Sequence, residues 1–199
     1  MTPVTKKFFP LQQWVNLLRL GKSIYSLAEL QRLTGLSTMA LRRALTRLSQ
    51  ANLLIPLGKS LYANSFRPPA LEEVAARLYP PAYVSLESAL FMHGVIHQAP
   101  HVLTCVTLNK TKVFRTGLGE IVYYHLKPEL FFGYRARDRV LLAEPEKAAL
   151  DFVYLQRQNG TSPTLEEWNR EHLDLPRLQA MMPNYPTTVK KIFSQQIEN

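Results

Sequence analysis

Leucines recur every three to five residues between Tyr25 and Leu53, in the stretch YSLAELQRLTGLSTMALRRALTRLSQANLL. This spacing predicts two short amphipathic helices. Ser26, followed three residues later by Glu29, has the spacing of a capping box, which predicts where the first helix begins. Gly35 ends that helix, and a serine or threonine then begins the next one. Two short helices joined by a glycine-containing turn predict a helix-turn-helix.

The segments on either side complete the pattern of a winged helix. PLQQWVNLLRLG predicts a preceding amphipathic helix. Four apolar residues share its inner face: Leu11, Trp14, Val15 and Leu18. NLLIPLGKSLYAN predicts two short strands, in which Gly58 supplies the turn and Lys59 lies at its tip. Two prolines at 68–69 follow, and because proline ends regular elements, we predict a winged-helix domain over residues 1–67.

From residue 70 onward, helical and strand patterns are mixed. LEEVAARLY, SLESALFMHG and EPEKAALDFVYLQRQ predict helices, and TLEEWNREH, DLPRLQAMM and PTTVKKIFSQQ predict a helical tail. Apolar or alternating runs such as HVLTCVTL and EIVYYHL predict a small, largely antiparallel sheet. The predicted fold class is therefore α+β, with an α+β C-terminal domain over 70–199 behind the winged helix.

The charge of the chain is concentrated in its first third. Residues 1–67 hold ten lysines and arginines against one acid, Glu29, so their formal charge of +9 equals that of the whole chain. Such asymmetry indicates a polyanionic partner, most simply nucleic acid. The hydrophobic fraction of 46% is typical of a globular protein. Because no apolar run approaches about 18 residues and no signal peptide is evident, we expect a cytoplasmic protein without a membrane partner.

The third predicted helix separates its leucines from its arginines. At about 100° per residue, Leu41, Leu45 and Leu48 form one seam and the polar residues lie opposite. A helix fits the major groove, where arginine can pair bidentately with guanine. Hydroxyls at the helix start, and lysines before the second helix and on the wing, would bind phosphates. The predicted DNA-binding residues are Lys22, Ser37, Thr38, Met39, Arg42, Arg43, Thr46, Arg47 and Lys59.

The amino-acid sequence leaves the role of this basic face open between several alternatives. The arginines could form an ordinary solvated face, but such a face usually mixes signs to gain ion pairs, and residues 30–67 contain no acid. RNA, an acidic protein or an anionic membrane surface could replace DNA as the partner. An enzyme with an unrecognised site in the C-terminal domain is a further alternative.

We predict no catalytic residues, no metal site and no cofactor. His93, His97 and His101 have a helical spacing that could bind zinc, but Gly94 and Pro100 interrupt the helix, which favours ordinary capping or surface histidines. GLGEIV lacks the context of a dinucleotide loop and predicts a hairpin turn.

Three acidic residues around the predicted helix EPEKAALDFVYLQRQ and the one cysteine also favour structural interpretations. Glu144, Glu146 and Asp151 fit helix-start and solvated positions better than a general acid–base pair. Cys105, inside an apolar run, predicts a buried reduced thiol.

Two motifs behind the basic segment carry a family resemblance. YVSLESALFMHGVI fits the pattern aromatic-x-Ser-x-x-Ser-Ala-Leu-x-x-His-Gly, and LLAEPEKAALDFVYL contains Ala-x-Pro-Glu-Lys-Ala-x-x-Asp. In this order, behind a winged helix, the chain resembles the AbiEi family, the antitoxins and transcriptional regulators of type IV toxin–antitoxin systems. The resemblance spans nearly the whole chain.

The resemblance implies an N-terminal domain that binds inverted repeats of double-stranded DNA in its own promoter. It also implies a C-terminal domain that counters a nucleotidyltransferase-like toxin without forming a stable complex with it. The matching residues take a structural role by this resemblance: Ser85, Ser88, His93, Gly94, Pro145, Glu146 and Asp151. We therefore expect a sequence-specific transcriptional autorepressor, not an enzyme.

Overall fold

A computed structural model describes residues 8–196 of the chain. This part contains eight α-helices and two β-sheets, which confirms the predicted α+β class. It divides into two compact units. The first comprises the residues up to Val74 together with Arg115–Gly119, and the second comprises Ala75–Phe114 and the residues from Glu120 onward. Among the described helices, none combines the length and the apolar character that crossing a bilayer would require.

The first unit has three helices and a three-stranded antiparallel sheet. The helices are α1 (Leu11–Leu20), α2 (Leu27–Thr34) and α3 (Thr38–Gln50). The strands are β1 (Ile24–Ser26), β2 (Leu54–Gly58) and β3 (Leu61–Asn64), in the order β1-β3-β2. The short strand β1 was not predicted. It lies between α1 and α2 and pairs with β3, so it joins the hairpin to the helices.

Local signals place the ends of α2 as the sequence predicts. The Ser26 Oγ accepts a hydrogen bond from the Glu29 amide at 3.2 Å, and the Ser26 amide donates to the Glu29 carboxylate at 2.9 Å. This is the reciprocal capping box. Gly35 ends the helix with φ of 66°, a left-handed conformation that costs glycine little. Leu36 then turns into the core between α2 and α3.

The core of the first unit is almost entirely apolar. The α3 seam of Leu41, Leu45 and Leu48 is buried as predicted, and it packs in one cluster with Trp14 and Leu18 of α1. Leu11 was predicted on the inner face of α1, but it is 62% exposed. It lies at the first residue of the helix, beyond the reach of the core that Trp14 and Leu18 fill.

One buried polar residue ties the end of α1 to the sheet. Asn64 of β3 donates from Nδ2 to the carbonyl oxygens of Leu18, at 2.7 Å, and Lys22, at 2.8 Å. Its Oδ1 accepts from the amide of Phe66 at 3.1 Å. The side chain therefore links β3 to the last turn of α1 and to the turn that follows it.

The second unit packs helices against a six-stranded sheet. Its helices are α4 (Leu71–Leu78, which begins in the first unit), α5 (Leu86–Met92), α6 (Pro145–Gln158), α7 (Leu175–Met181) and α8 (Thr187–Gln196). Its strands are β4 (Ala82–Val84), β5 (Leu103–Thr107), β6 (Lys112–Thr116, which ends in the first unit), β7 (Gly119–His125, which begins in the first unit), β8 (Tyr134–Arg137) and β9 (Val140–Ala143). The strand order is β6-β7-β5-β4-β9-β8.

This sheet differs from the small, largely antiparallel sheet that the sequence predicted. It has six strands, and β4 pairs in parallel with β9 while β5 pairs in parallel with β7. The β4–β5 and β8–β9 pairs are antiparallel. Parallel neighbours are joined by crossovers rather than by tight turns, so no local signal marks them.

The predicted helix TLEEWNREH does not form as an α-helix. Only Arg170–His172 has helical character, as a single 3₁₀ turn. The Asn169 side chain accepts from the Glu171 amide at 3.2 Å, and the Asn169 amide donates to the Val95 carbonyl at 2.8 Å. These bonds occupy backbone groups that a continuous helix would use, while Leu165 and Trp168 are still buried.

Candidate nucleic-acid interface

The outer face of α3 carries the predicted recognition residues. Arg42, Arg43, Thr46 and Arg47 are exposed, and Met39 is 67% exposed. This face lies opposite the seam of Leu41, Leu45 and Leu48, as the helical period predicts. The helix therefore presents polar and basic side chains to solvent along its length while its other side is fixed in the core.

The arginines of α3 make few contacts with charged or polar groups of the protein. Within residues 8–196, no carboxylate pairs with Arg42, Arg43 or Arg47. The Arg43 guanidinium contacts the Met39 sulfur, at 3.7 Å, and the Thr46 hydroxyl donates to the Arg42 carbonyl at 3.1 Å. Arg47 lies at the edge of this face and lines an apolar groove of about 380 Å³ with Trp14. The positive charge of the face is therefore not neutralised by the described part of the protein.

Hydroxyl groups lie at the N-terminus of α3. Ser37 is the N-cap residue, and its Oγ accepts from the Ala40 amide at 3.3 Å. The Thr38 Oγ1 accepts from the Gln31 side-chain amide at 3.3 Å. In both contacts the hydroxyl oxygen is the acceptor, so each hydroxyl hydrogen can still be donated to a phosphate. Gln31, which the sequence did not single out, holds Thr38 in place from α2.

Lys22 differs from the α3 arginines because it is paired. Its Nζ lies 3.0 Å from Glu29 Oε1. The Ser26 amide and then Lys22 lower the pKa of Glu29 to about 2. Glu29, the one acid in the sequence of residues 1–67, therefore serves both the α2 cap and Lys22. A phosphate contact by Lys22 would have to compete with this ion pair.

The hairpin after α3 presents Lys59 at its tip. Lys59 and Ser60 have φ of 46° and 61°, and Gly58 has φ of 97°. Two successive residues with positive φ are what a type I′ hairpin turn requires. The pairing register shifts between Pro56 and Gly58, so Gly58 belongs to a β-bulge before the turn, while Lys59 and Ser60 form the turn itself. The prediction from the sequence placed the turn at Gly58 and gave Ser60 no role in it.

Arg67, one of the ten basic residues, has a structural contact instead. Its Nη1 donates to the Gly21 carbonyl at 2.8 Å. The Arg19 guanidinium lies over the Phe66 ring, 5.5 Å from its centre. The cations of the basic segment are therefore not equally available to a polyanion, and the exposed arginines of α3 are among the most available.

The second unit contains a buried ionic cluster. Lys147 and Asp151 of α6 pair through Nζ and Oδ1, and both side chains have no exposed surface. Tyr83 and Ser85 donate to Asp151 Oδ2 at 3.0 and 2.9 Å, and Tyr185 donates to Oδ1 at 2.8 Å. Asp151 was expected to be a solvated residue, but it is fully enclosed by donors.

Aromatic rings complete the surroundings of Lys147. Its Nζ lies 5.0 to 5.7 Å from the ring centres of Tyr83, Phe132 and Tyr185, and 2.7 Å from the Tyr185 hydroxyl oxygen. Burial lowers the pKa of Lys147, and the charge of Asp151 opposes this change. Burial, assisted by Asp151, raises the pKa of Tyr83 and of Tyr185. Since all these groups satisfy one another away from solvent, the cluster supports a structural role.

The other candidates of the second unit also have structural contacts. The Glu146 carboxylate accepts from the Asp174 amide at 2.9 Å, and Ser88 bonds with Thr104. The His93 Nε2 lies 2.8 Å from the Ala143 carbonyl oxygen, which requires that this nitrogen carry the proton. His97 and His101 are exposed in the loop after α5. In the described residues, no three His, Cys, Asp or Glu side chains converge on a possible metal position.

Neither a model of a known protein family nor a curated protein matches this chain. The residues of the site itself are therefore the basis for assigning a function.

Proposed function

We propose that the chain is a sequence-specific DNA-binding transcriptional autorepressor of the cytoplasm, with its first unit acting as a winged helix. One observation carries the proposal. The outer face of α3 presents Arg42 and Arg43 without carboxylate partners in the described part of the chain, while the opposite face is locked into an apolar core. A rigid helix with an unneutralised basic face is the arrangement that major-groove binding uses.

The role of each residue follows from its position. Arg43 and Arg42, in the middle of the exposed face, would reach base edges, with Thr46 and Met39 beside them. Ser37 and Thr38 would fix the helix start on a phosphate. Lys59, at the hairpin tip, would bind the neighbouring backbone. Occupying a promoter in this way excludes polymerase and needs no chemical step.

The resemblance to AbiEi antitoxins extends the proposal to the second unit. We propose that the chain is the antitoxin of a type IV system and acts against a nucleotidyltransferase-like toxin without stable binding. The contacts of Ser85, His93 and Asp151 inside the second unit support a structural role for the residues that carry the resemblance.

The test is a fluorescence-anisotropy titration of the protein with the DNA upstream of its own gene. Random duplex and double-stranded RNA of equal length are the controls, each at two salt concentrations. We expect the upstream DNA to bind at least about 10³ times more tightly than random duplex. Equal binding to all three nucleic acids would support an unspecific interaction module instead. No binding to any of them would overturn the DNA-binding proposal.

A further inference from the structure

A pocket of about 400 Å³ opens in the second unit beside the start of α6. Its charged lining comes from three elements: Arg135 and Arg137 of β8, Arg177 of α7, and Glu144 just before α6. Arg135 and Arg137 are two residues apart on one strand, so their side chains leave the same face of the sheet. His93 also lines the pocket, and its Nε2 is held by the Ala143 carbonyl.

Glu144 forms ion pairs with two arginines instead of capping α6. Its side chain is 9% exposed and pairs with the Nε of Arg135 through Oε1 and with the Nη2 of Arg177 through Oε2. It makes no capping hydrogen bond to α6, although it occupies the N-cap position. A nearly buried carboxylate thus fixes two guanidinium groups from different elements at one side of a concave surface.

Hydrogen-bond donors remain available after this pairing. Arginine has five N–H groups, and the ion pair with Glu144 uses only the Nε of Arg135, whose side chain is 72% exposed. Within residues 8–196, no carboxylate pairs with Arg137, which is also exposed. α6 begins at Pro145, so the positive end of its helix dipole adds to the positive potential of the pocket.

The charges define the ligand that fits. Three arginines and one glutamate leave a formal charge of +2 in the pocket, which a phosphate monoester dianion would neutralise. Its three terminal oxygens offer acceptors to the N–H groups of several arginines, whereas a single carboxylate offers less charge and only two oxygens.

We propose that this pocket binds the phosphate monoester group of a phosphorylated ligand. A free nucleotide and the phosphorylated 5′ end of an oligonucleotide share this chemistry. The assignment is independent of DNA binding by the first unit.

The experiment is calorimetric titration of the full-length protein with inorganic phosphate, AMP, adenosine and acetate. A 5′-phosphorylated and a 5′-hydroxyl trinucleotide complete the set. Because the basic first unit also attracts anions, two matched variants are needed. Arg137→Gln removes a pocket charge, and Arg139→Gln removes an exposed charge two residues along the chain that does not line the pocket. Circular dichroism of both variants checks that the fold is kept.

We expect AMP to bind and adenosine and acetate not to bind. Arg137→Gln should weaken AMP binding by about tenfold or more, because it removes hydrogen bonds to a charged group, while Arg139→Gln should change it less than about twofold. If AMP binds more tightly than the phosphorylated trinucleotide, the ligand is a free nucleotide, and the reverse order identifies a strand end. Absence of AMP binding, or equal binding by all three proteins, overturns the assignment.

Discussion

Exposed arginines on α3 of the first unit contrast with a buried ion pair in the second unit. In the first unit, Arg42 and Arg43 are exposed on α3, with no carboxylate partner among the described residues, above a core formed by leucines and aromatic residues. In the second unit, Lys147 and Asp151 are completely buried and each satisfies the other with the help of tyrosines. Net charge is therefore a guide to partners only where the charges reach solvent.

The difference separates residues that hold the fold from residues that can bind. An exposed arginine costs little on folding and keeps its donors for a polyanion. A buried lysine must recover its lost hydration from internal partners, so it has no donor to offer outside. Replacing the buried Asp151 should consequently change stability, whereas replacing the exposed Arg43 of α3 should change DNA affinity.

Asp151→Ala should have the largest effect, because it leaves the Lys147 ammonium buried without a counter-charge. We expect the second unit to lose about 3–5 kcal/mol of unfolding free energy. Urea denaturation followed by circular dichroism measures the loss. The double variant Lys147→Met/Asp151→Asn, which removes both charges at similar volume, should lose clearly less. A loss below about 1 kcal/mol in Asp151→Ala would mean that the pair is not a stabilising contact.

Leu45→Ala tests the apolar core of the first unit. Leu45 is 3% exposed in the α3 seam, and its truncation should cost about 2–5 kcal/mol. Leu33→Ala is the matched control, since Leu33 of α2 is 51% exposed and its change should stay within about 0.5 kcal/mol. Trp14 fluorescence during denaturation, in a Trp168→Phe background, reports on this unit alone. Equal losses in both variants would contradict the assignment of the seam.

The sequence predicts the first unit better than the second because its signals are local. Ser26, Glu29 and Gly35 lie within a few residues of the helix ends that they determine. By contrast, β4 and β9 pair in parallel although α5 and the strands β5–β8 separate them along the chain. No periodicity within either strand specifies that partner.

In the candidate site, too, some features follow from local sequence and others from contacts between distant residues. The exposure of Arg42, Arg43 and Thr46 follows from the period of the helix. The pairing of Lys22 with Glu29 depends on how the turn before β1 approaches α2, which residue spacing does not determine. Asp151 was expected to be a solvated residue, but Tyr83 and Tyr185, from distant parts of the chain, donate hydrogen bonds to it.

Arg43→Ala tests the exposed face of α3. We expect it to cost about 1–3 kcal/mol of binding free energy on the operator and to relax specificity at one base pair, because a bidentate contact to guanine is lost. Alanine favours the helix, so folding should not suffer. Anisotropy titrations against operators changed at single positions make the measurement, with the exposed second-unit variant Lys110→Ala as control. Unchanged affinity and specificity would show that the recognition face lies elsewhere.

Lys59→Asn tests the hairpin tip, and its expected effect on DNA binding is smaller than that of Arg43→Ala. Asparagine tolerates the left-handed φ of 46° and removes the charge without straining the turn. Binding should weaken to a similar degree on all DNA sequences, and the slope of log K against log salt should become shallower by about one unit. Titrations at several salt concentrations give the slope. An unchanged slope would exclude a phosphate contact by Lys59.

Glu29 should show the smallest effect, visible only in acid. Its pKa falls from 4.5 to about 2, through the hydrogen bond from the Ser26 amide and then through Lys22. Because the folded pKa lies below the unfolded one, its contribution to stability is complete above pH 4.5 and disappears as the pH falls towards 2. Glu29→Gln should lack this part of the acid sensitivity. An NMR titration of the carboxyl group in the wild type measures the pKa directly.

Lys22→Gln separates the two causes of the low pKa. Since the Ser26 amide contributes more than Lys22, the Glu29 pKa should rise in this variant but stay below 4.5. A return to 4.5 would mean that the ion pair, rather than the helix cap, holds the carboxylate. Lys22 would then be committed to Glu29, and the phosphate contact predicted for it would have to be withdrawn, which would leave the α3 face and Lys59 to bind DNA.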